Sequence, residues 1–161
     1  MKSLLAGSVV LIMLAGLHEC GNCQTPPVKY SLKRTKDYFF ELTFTNAPKY
    51  IHSLKMKPES KEKELDQGDW LVLSVGAFSV PDIECINVAI DSAVKFGGKV
   101  QLGVRPFWDY EEVAKLLPEF KDRTGSPIWI YYRDGKLLWW QDSPLTAREL
   151  EARLKMLTKG N

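Results

Sequence analysis

The sequence predicts an α/β fold in which helices flank a mixed sheet, and three observations carry that prediction. The run Asp69-Trp70-Leu71-Val72-Leu73-Ser74-Val75-Gly76-Ala77 is apolar and of strand length. A helical stretch follows from Ile83 to Phe96 and is stopped by Gly97 and Gly98. Toward the C-terminus, Ile128–Tyr132 and Lys136–Trp140 are β-branched, aromatic or apolar, flank an Asp134-Gly135 turn, and precede a helix with the capping box Thr146-x-x-Glu149.

Taken in order, Val28 to Leu32 reads as a short strand or an extended arm, followed by the basic turn Lys33-Arg34-Thr35-Lys36. Asp37 to Thr45 holds Tyr38, Phe39, Phe40 and Leu42 and predicts the first strand. Thr45-Asn46-Ala47-Pro48 then predicts a helix start, with Tyr50, Ile51 and Leu54 at core spacing. The polar stretch from Lys55 to Gly68 alternates Lys57, Lys61 and Lys63 with Glu59, Glu62 and Glu64, the pattern of a solvated loop.

After the helix that ends at Phe96, Gly98 to Val104 predicts another strand. Asp109 is a good N-cap for a helix carrying Glu111 and Glu112 in its first turn and Val113, Leu116, Leu117 and Phe120 on its apolar face. Pro118 should kink or divide that helix. The last helix is expected to bury Leu150, Leu154 and Leu157. The expected order is therefore β-α-β-α-β-α-β-β-α, with no internal repeat and no second domain.

At the N-terminus Lys2 precedes an uncharged apolar stretch from Leu4 to Leu17, the length of a signal-peptide core and too short to span a bilayer. The expected organisation is a signal peptide over 1–23, an arm over 24–36 and one domain over 37–161. Cleavage after Cys23 leaves Gln24 at the mature start, whereas cleavage near Gly16 keeps Cys20 and Cys23 on a tail. The formal charge of +2 demands neither nucleic acid nor an acidic membrane. No Asn-x-Ser/Thr acceptor is present, and the final Lys159-Gly160-Asn161 is not a luminal retention signal, so secretion is expected over retention in the endoplasmic reticulum.

The segment Gly125-Ser126-Pro127 before an aromatic strand, the hairpin and the terminal helix resemble the C-terminal half of the thioredoxin family. The resemblance covers residues 37 to 158 and implies a three-layer thioredoxin-like sandwich with a cis bond before Pro127, facing the redox motif. Laid on the family's Trp-Cys-Gly-Pro-Cys, the tryptophan is replaced by Phe78 and the two cysteines by Ser79 and Asp82, while Pro81 is kept. The family's buried aspartate falls at Leu73. Thiol–disulfide exchange needs a thiolate and a resolving thiol, so the resemblance implies a scaffold that has left redox chemistry at this position. No catalytic residue is expected there.

What the resemblance keeps is a binding edge. An extended polypeptide adds main-chain hydrogen bonds beside Ser126 and Pro127, with Phe78, Ser79 and Trp108 around the groove. The alternative is thiol–disulfide chemistry, or a disulfide-linked partner, through Cys85 or through retained Cys20 and Cys23. Cys85 is the candidate reactive thiol: helical spacing sets it off the stripe Ile83, Ile86, Ile90 and Val94, while the family register turns it toward the sheet. A third reading is an interaction subunit that keeps only the scaffold.

Other constellations are sparse. His18 and His52 are the only histidines, which offers no metal or catalytic cluster, and no cofactor is expected. Ser79 and Asp82 suit helix capping better than nucleophilic catalysis. Among Trp129, Tyr131, Trp139 and Trp140, those alternating inward need no function, and the remainder are candidates for an exposed partner patch.

Overall fold

The structure, a computed structural model, describes residues 26–34, 40–54, 63–76, 79–106 and 126–159. The expected signal segment, Cys20 and Cys23, the helix beginning at Asp109, and the site residues Phe78 and Trp108 lie outside them.

Seven strands and two helices are described. They are β1 (Lys29–Arg34), β2 (Phe40–Thr45), β3 (Ile51–Ser53), β4 (Asp69–Val75), α1 (Val80–Phe96), β5 (Gln101–Pro106), β6 (Ile128–Arg133), β7 (Lys136–Gln141) and α2 (Ala147–Thr158). A single 3-10 turn spans Lys63–Asp66. The five-stranded sheet has the order β3-β5-β4-β6-β7, with β3, β5 and β4 parallel and β6 and β7 antiparallel to their neighbours. This is the mixed sheet of an α/β fold.

Period-two alternation divides the core between the two faces of the sheet. Leu71, Leu73 and Val75 of β4, Leu102 and Val104 of β5, and Trp129 and Tyr131 of β6 join Ile86, Ala89, Ile90 and Ala93 of α1 and Leu150 and Leu154 of α2. The opposite face presents Trp70, Val72, Ile128 and Ile130 to Leu54 and Leu65. Arg133 ties the sheet to the end of α2, pairing with Asp69 at 2.6 Å and donating to the Leu157 carbonyl at 2.7 Å.

Two expectations are corrected. Tyr50, Ile51 and Leu54 do not lie on a helix: Ile51–Ser53 is a strand, parallel to β5. The β5 edge decides this, because Leu102 N–H donates to the Tyr50 carbonyl at 2.8 Å and Leu54 N–H to the Val104 carbonyl at 2.9 Å. A single helical turn would leave that edge open. The first strand of the main sheet is consequently β3 rather than 37–45. Phe40–Thr45 pairs instead with Lys29–Arg34 in a separate antiparallel sheet, from Lys29↔Thr45 to Arg34↔Phe40. Val28, just before β1, and Tyr30, Leu32 and Leu42 of that sheet join the core on the α1 side.

Candidate functional site

The site forms where the C-terminal end of β4, the first turn of α1 and the chain entering β6 converge. Ser79 is the N-cap of α1, with extended φ and ψ of −80° and 142°, and its hydroxyl accepts from the Asp82 N–H at 3.2 Å. Pro81 falls in the first turn, where a missing N–H leaves no intrahelical bond unmade. The same Ser79 hydroxyl donates to Asp82 Oδ2 at 2.7 Å. From the other side the Ser126 hydroxyl donates to that oxygen at 3.0 Å.

Asp82 is only 1% exposed. The positive end of the α1 dipole and two hydroxyl donors face this side chain. The second oxygen, Oδ1, is buried without a hydrogen-bond partner.

Gly76 makes this convergence possible. A Cβ there would sit 2.7 Å from Ser126 Oγ and 3.3 Å from Ser126 Cβ, so the Ser126 side chain would have to shift away. The Ser126–Pro127 peptide bond is cis, Pro127 is buried and Ser126 is half-buried. Pairing of β6 with β4 begins at Ser74↔Ile128, so Ser126 lies outside that ladder. Beside it Ser79 and Pro81 are exposed, and Val80 is 66% exposed.

The structure thus brings Ser79, Asp82, Ser126 and Pro127 together. No sulfur lies among them. Cys85, the candidate reactive thiol, is one turn further along α1 and 2% exposed. Burial pushes its thiol up, the charges of Asp82 and Glu84 push the same way, and a backbone hydrogen bond at Leu145 opposes them. The thiolate is the nucleophilic form, and this setting disfavours it. Leu73 is fully buried in the same apolar cluster as Cys85.

Among the described residues no three His, Cys, Asp or Glu side chains group as metal ligands. His52 lies on the edge strand β3, hydrogen-bonded to Gln101 at 2.9 Å and tilted against Trp70 at 5.0 Å. The aromatic hairpin is mostly packed. Trp129 is buried and donates to the Ser143 carbonyl at 3.0 Å, Trp139 lies under Arg153 at 5.4 Å, and Trp140 is half-buried against the second cluster.

Sequence reasoning named the four clustered residues but missed the bond joining Ser126 to Asp82. The available signal was Gly76, a residue without a Cβ at the end of a buried strand. A buried cation was also missed. Arg105, 4% exposed and directly opposite Ser74, donates from Nε to the Ser74 hydroxyl at 2.8 Å.

No family model matches the chain, and no curated protein matches it. Solved structures do. The chain is similar to thioredoxin-2 of the malaria parasite, a component of that organism's protein secretion machinery, at 13% identity over 55% of this chain and 82% of the parasite chain, with a TM-score of 0.44. It is also similar to the germline-specific thioredoxin Deadhead of Drosophila melanogaster, at 15% identity over 62% of this chain and 87% of the other, with a TM-score of 0.44. The α/β class rests on the strand order and packing described above.

Proposed function

We propose that this chain is a thioredoxin-like protein of the secretory pathway, secreted in preference to being retained, that performs no dithiol exchange at Ser79 and Asp82 and binds extended polypeptide beside Ser126 and Pro127. One observation carries the reading. The residues aligned with the redox pair form a hydroxyl–carboxylate cluster, and that cluster is tied through Ser126 to the chain entering β6. It fixes the shape of the edge without supplying a nucleophile for sulfur.

Two further features support binding. Ser126 stands outside the β4 ladder, so a peptide can add to it by main-chain hydrogen bonds. Exposed Val80 offers an apolar contact next to it. The apolar stretch Leu4–Leu17 supports the secretory assignment.

Amide chemical shifts of the mature protein, titrated with a reduced and carboxymethylated unfolded polypeptide, test the reading. The expected changes are confined to residues 79–82 and 126–128, and the protein reduces insulin disulfides no faster than dithiothreitol alone. Shift changes confined to the β6–β7 hairpin would move recognition elsewhere. Insulin reduction abolished by Cys85→Ser would replace the reading with thiol chemistry.

A further inference from the structure

At the far end of α1 from this site, the last turns of the two helices border a surface pocket of about 490 Å³. Lys95, Lys99, Lys155 and Lys159 line it, together with Phe96, Glu151 and Thr158. All four lysines are exposed and Phe96 is half-buried. Lys95 is neutralised by Glu151 at 2.5 Å, with Asp91 one turn earlier adding to the same field. Lys99, Lys155 and Lys159 make no ion pair among the described residues.

Four lysines against one glutamate leave three side-chain positive charges in excess in one pocket, only partly offset by the negative C-terminal ends of the two helix dipoles, although the whole chain carries only +2. Lysines in a last helical turn complement the helix dipole, which accounts for Lys95 and Lys155. It does not account for Lys99, which lies beyond α1, past two left-handed glycines. Gly97 and Gly98 have φ of 57° and 80°. Their turn is closed by Gly97 N–H to the Val94 carbonyl at 3.0 Å and Lys99 N–H to the Phe96 carbonyl at 3.1 Å. Tyr50 packs so near Gly98 that a Cβ there would lie 2.9 Å from its ring. The turn therefore holds Lys99 against the end of α2 and concentrates like charge, which costs stability unless a counter-charge arrives.

We infer that this pocket binds a small ligand bearing a multiply charged oxyanion, a phosphate or sulfate ester. Lysine ammonium groups suit such a ligand as point charges with freely rotating donors. The volume is that of a small-molecule site, and Phe96 gives an apolar surface beside the charges. The inference is independent of the peptide-binding reading, which concerns the opposite end of α1.

The test is titration of the mature protein with inorganic pyrophosphate and, separately, with a fully sulfated disaccharide, followed by calorimetry and by the amides of residues 95–99 and 155–159. Saturable binding of either probe is expected, identifying the ester type, and it should weaken as salt rises. Lys99→Ala with Lys155→Ala should weaken it by about tenfold or more, the scale of two lost charge contacts. Lys29→Ala with Lys136→Ala, on other elements, should leave it unchanged. Absence of saturable binding, or equal loss in both double variants, would overturn the inference and leave these lysines as solvated helix-end charges. Circular dichroism separates either outcome from misfolding.

Discussion

In its first turn α1 carries a carboxylate that the fold has almost wholly removed from water, whereas at its last turn the lysines of α1 and α2 stay in solvent. Both arrangements place the charge that the helix dipole favours. They differ in what answers the charge. Asp82 is met by the Ser79 and Ser126 hydroxyls and the N-cap, so its energetics belong to a desolvated hydrogen-bond cluster. The lysine end is met by water, Glu151 and the dipole, where high dielectric keeps each contribution small. One end is therefore coupled to the fold, while the other is free to answer a ligand.

Asp82→Ala should show this difference most strongly. It removes the acceptor of two hydroxyls and should cost about 2 kcal/mol of unfolding free energy, read from urea denaturation. An opposing term exists, since the carboxylate carries a buried Oδ1 without a partner. A variant as stable as the parent would mean that this term cancels the two hydrogen bonds. The carboxylate would then be retained for the shape of the Ser126 edge, and peptide binding, not stability, would suffer.

Alkaline pH compares the same ends through two tyrosines. Tyr30, whose hydroxyl donates to the Ile83 carbonyl at 3.4 Å, lies against the first turn of α1, and burial pushes it from 10.0 up to about 12. Tyr131, a buried residue of β6, is pushed from 10.0 to about 12 by burial, with Arg133 partly opposing and Asp69 assisting. A folded-state value above the unfolded one stabilises the fold fully below pH 10, and that contribution is lost as pH rises toward 12. Melting temperature should fall across that window. Tyr131→Phe should soften the fall while changing little near neutrality, because its hydroxyl has no hydrogen-bond partner to lose. An unchanged alkaline slope in both Tyr30→Phe and Tyr131→Phe would assign the fall to lysine deprotonation at the other end.

The C-terminal half was legible in the sequence because local signals and tertiary demands agree there. The Asp134-Gly135 turn, with φ of 48° and 72°, joins β6 and β7, and the Thr146 hydroxyl and Glu149 carboxylate form the reciprocal capping box. Near the N-terminus they conflict. Tyr50, Ile51 and Leu54 have helical spacing, yet the open backbone of β5 draws them into a parallel strand. Nothing local announces a partner about fifty residues away. Family likeness named Ser79, Asp82, Ser126 and Pro127 of the candidate site, but not the central bond among them. Ser126 reaches Asp82 only because Gly76 leaves room, and that depends on three segments meeting in space.

The smallest effect on stability is expected at Glu151, and its effect on binding sharpens the contrast most. Glu151 accepts from Lys95 across the two helices, and among the described residues it is the only acidic side chain lining the pocket. Glu151→Gln keeps the shape and a hydrogen-bond acceptor but removes that charge, so the unfolding midpoint should move by little more than the error of the measurement. The freed Lys95 then joins the other lysines, and affinity for pyrophosphate should rise by several-fold, about the scale of one charge removed near a surface ligand. Tighter binding with unchanged stability would establish that this end of α1 is tuned by charge alone. A large loss of stability with unchanged affinity would show instead that the Lys95–Glu151 pair holds the helices together, and that the lysine end is coupled to the fold as closely as Asp82.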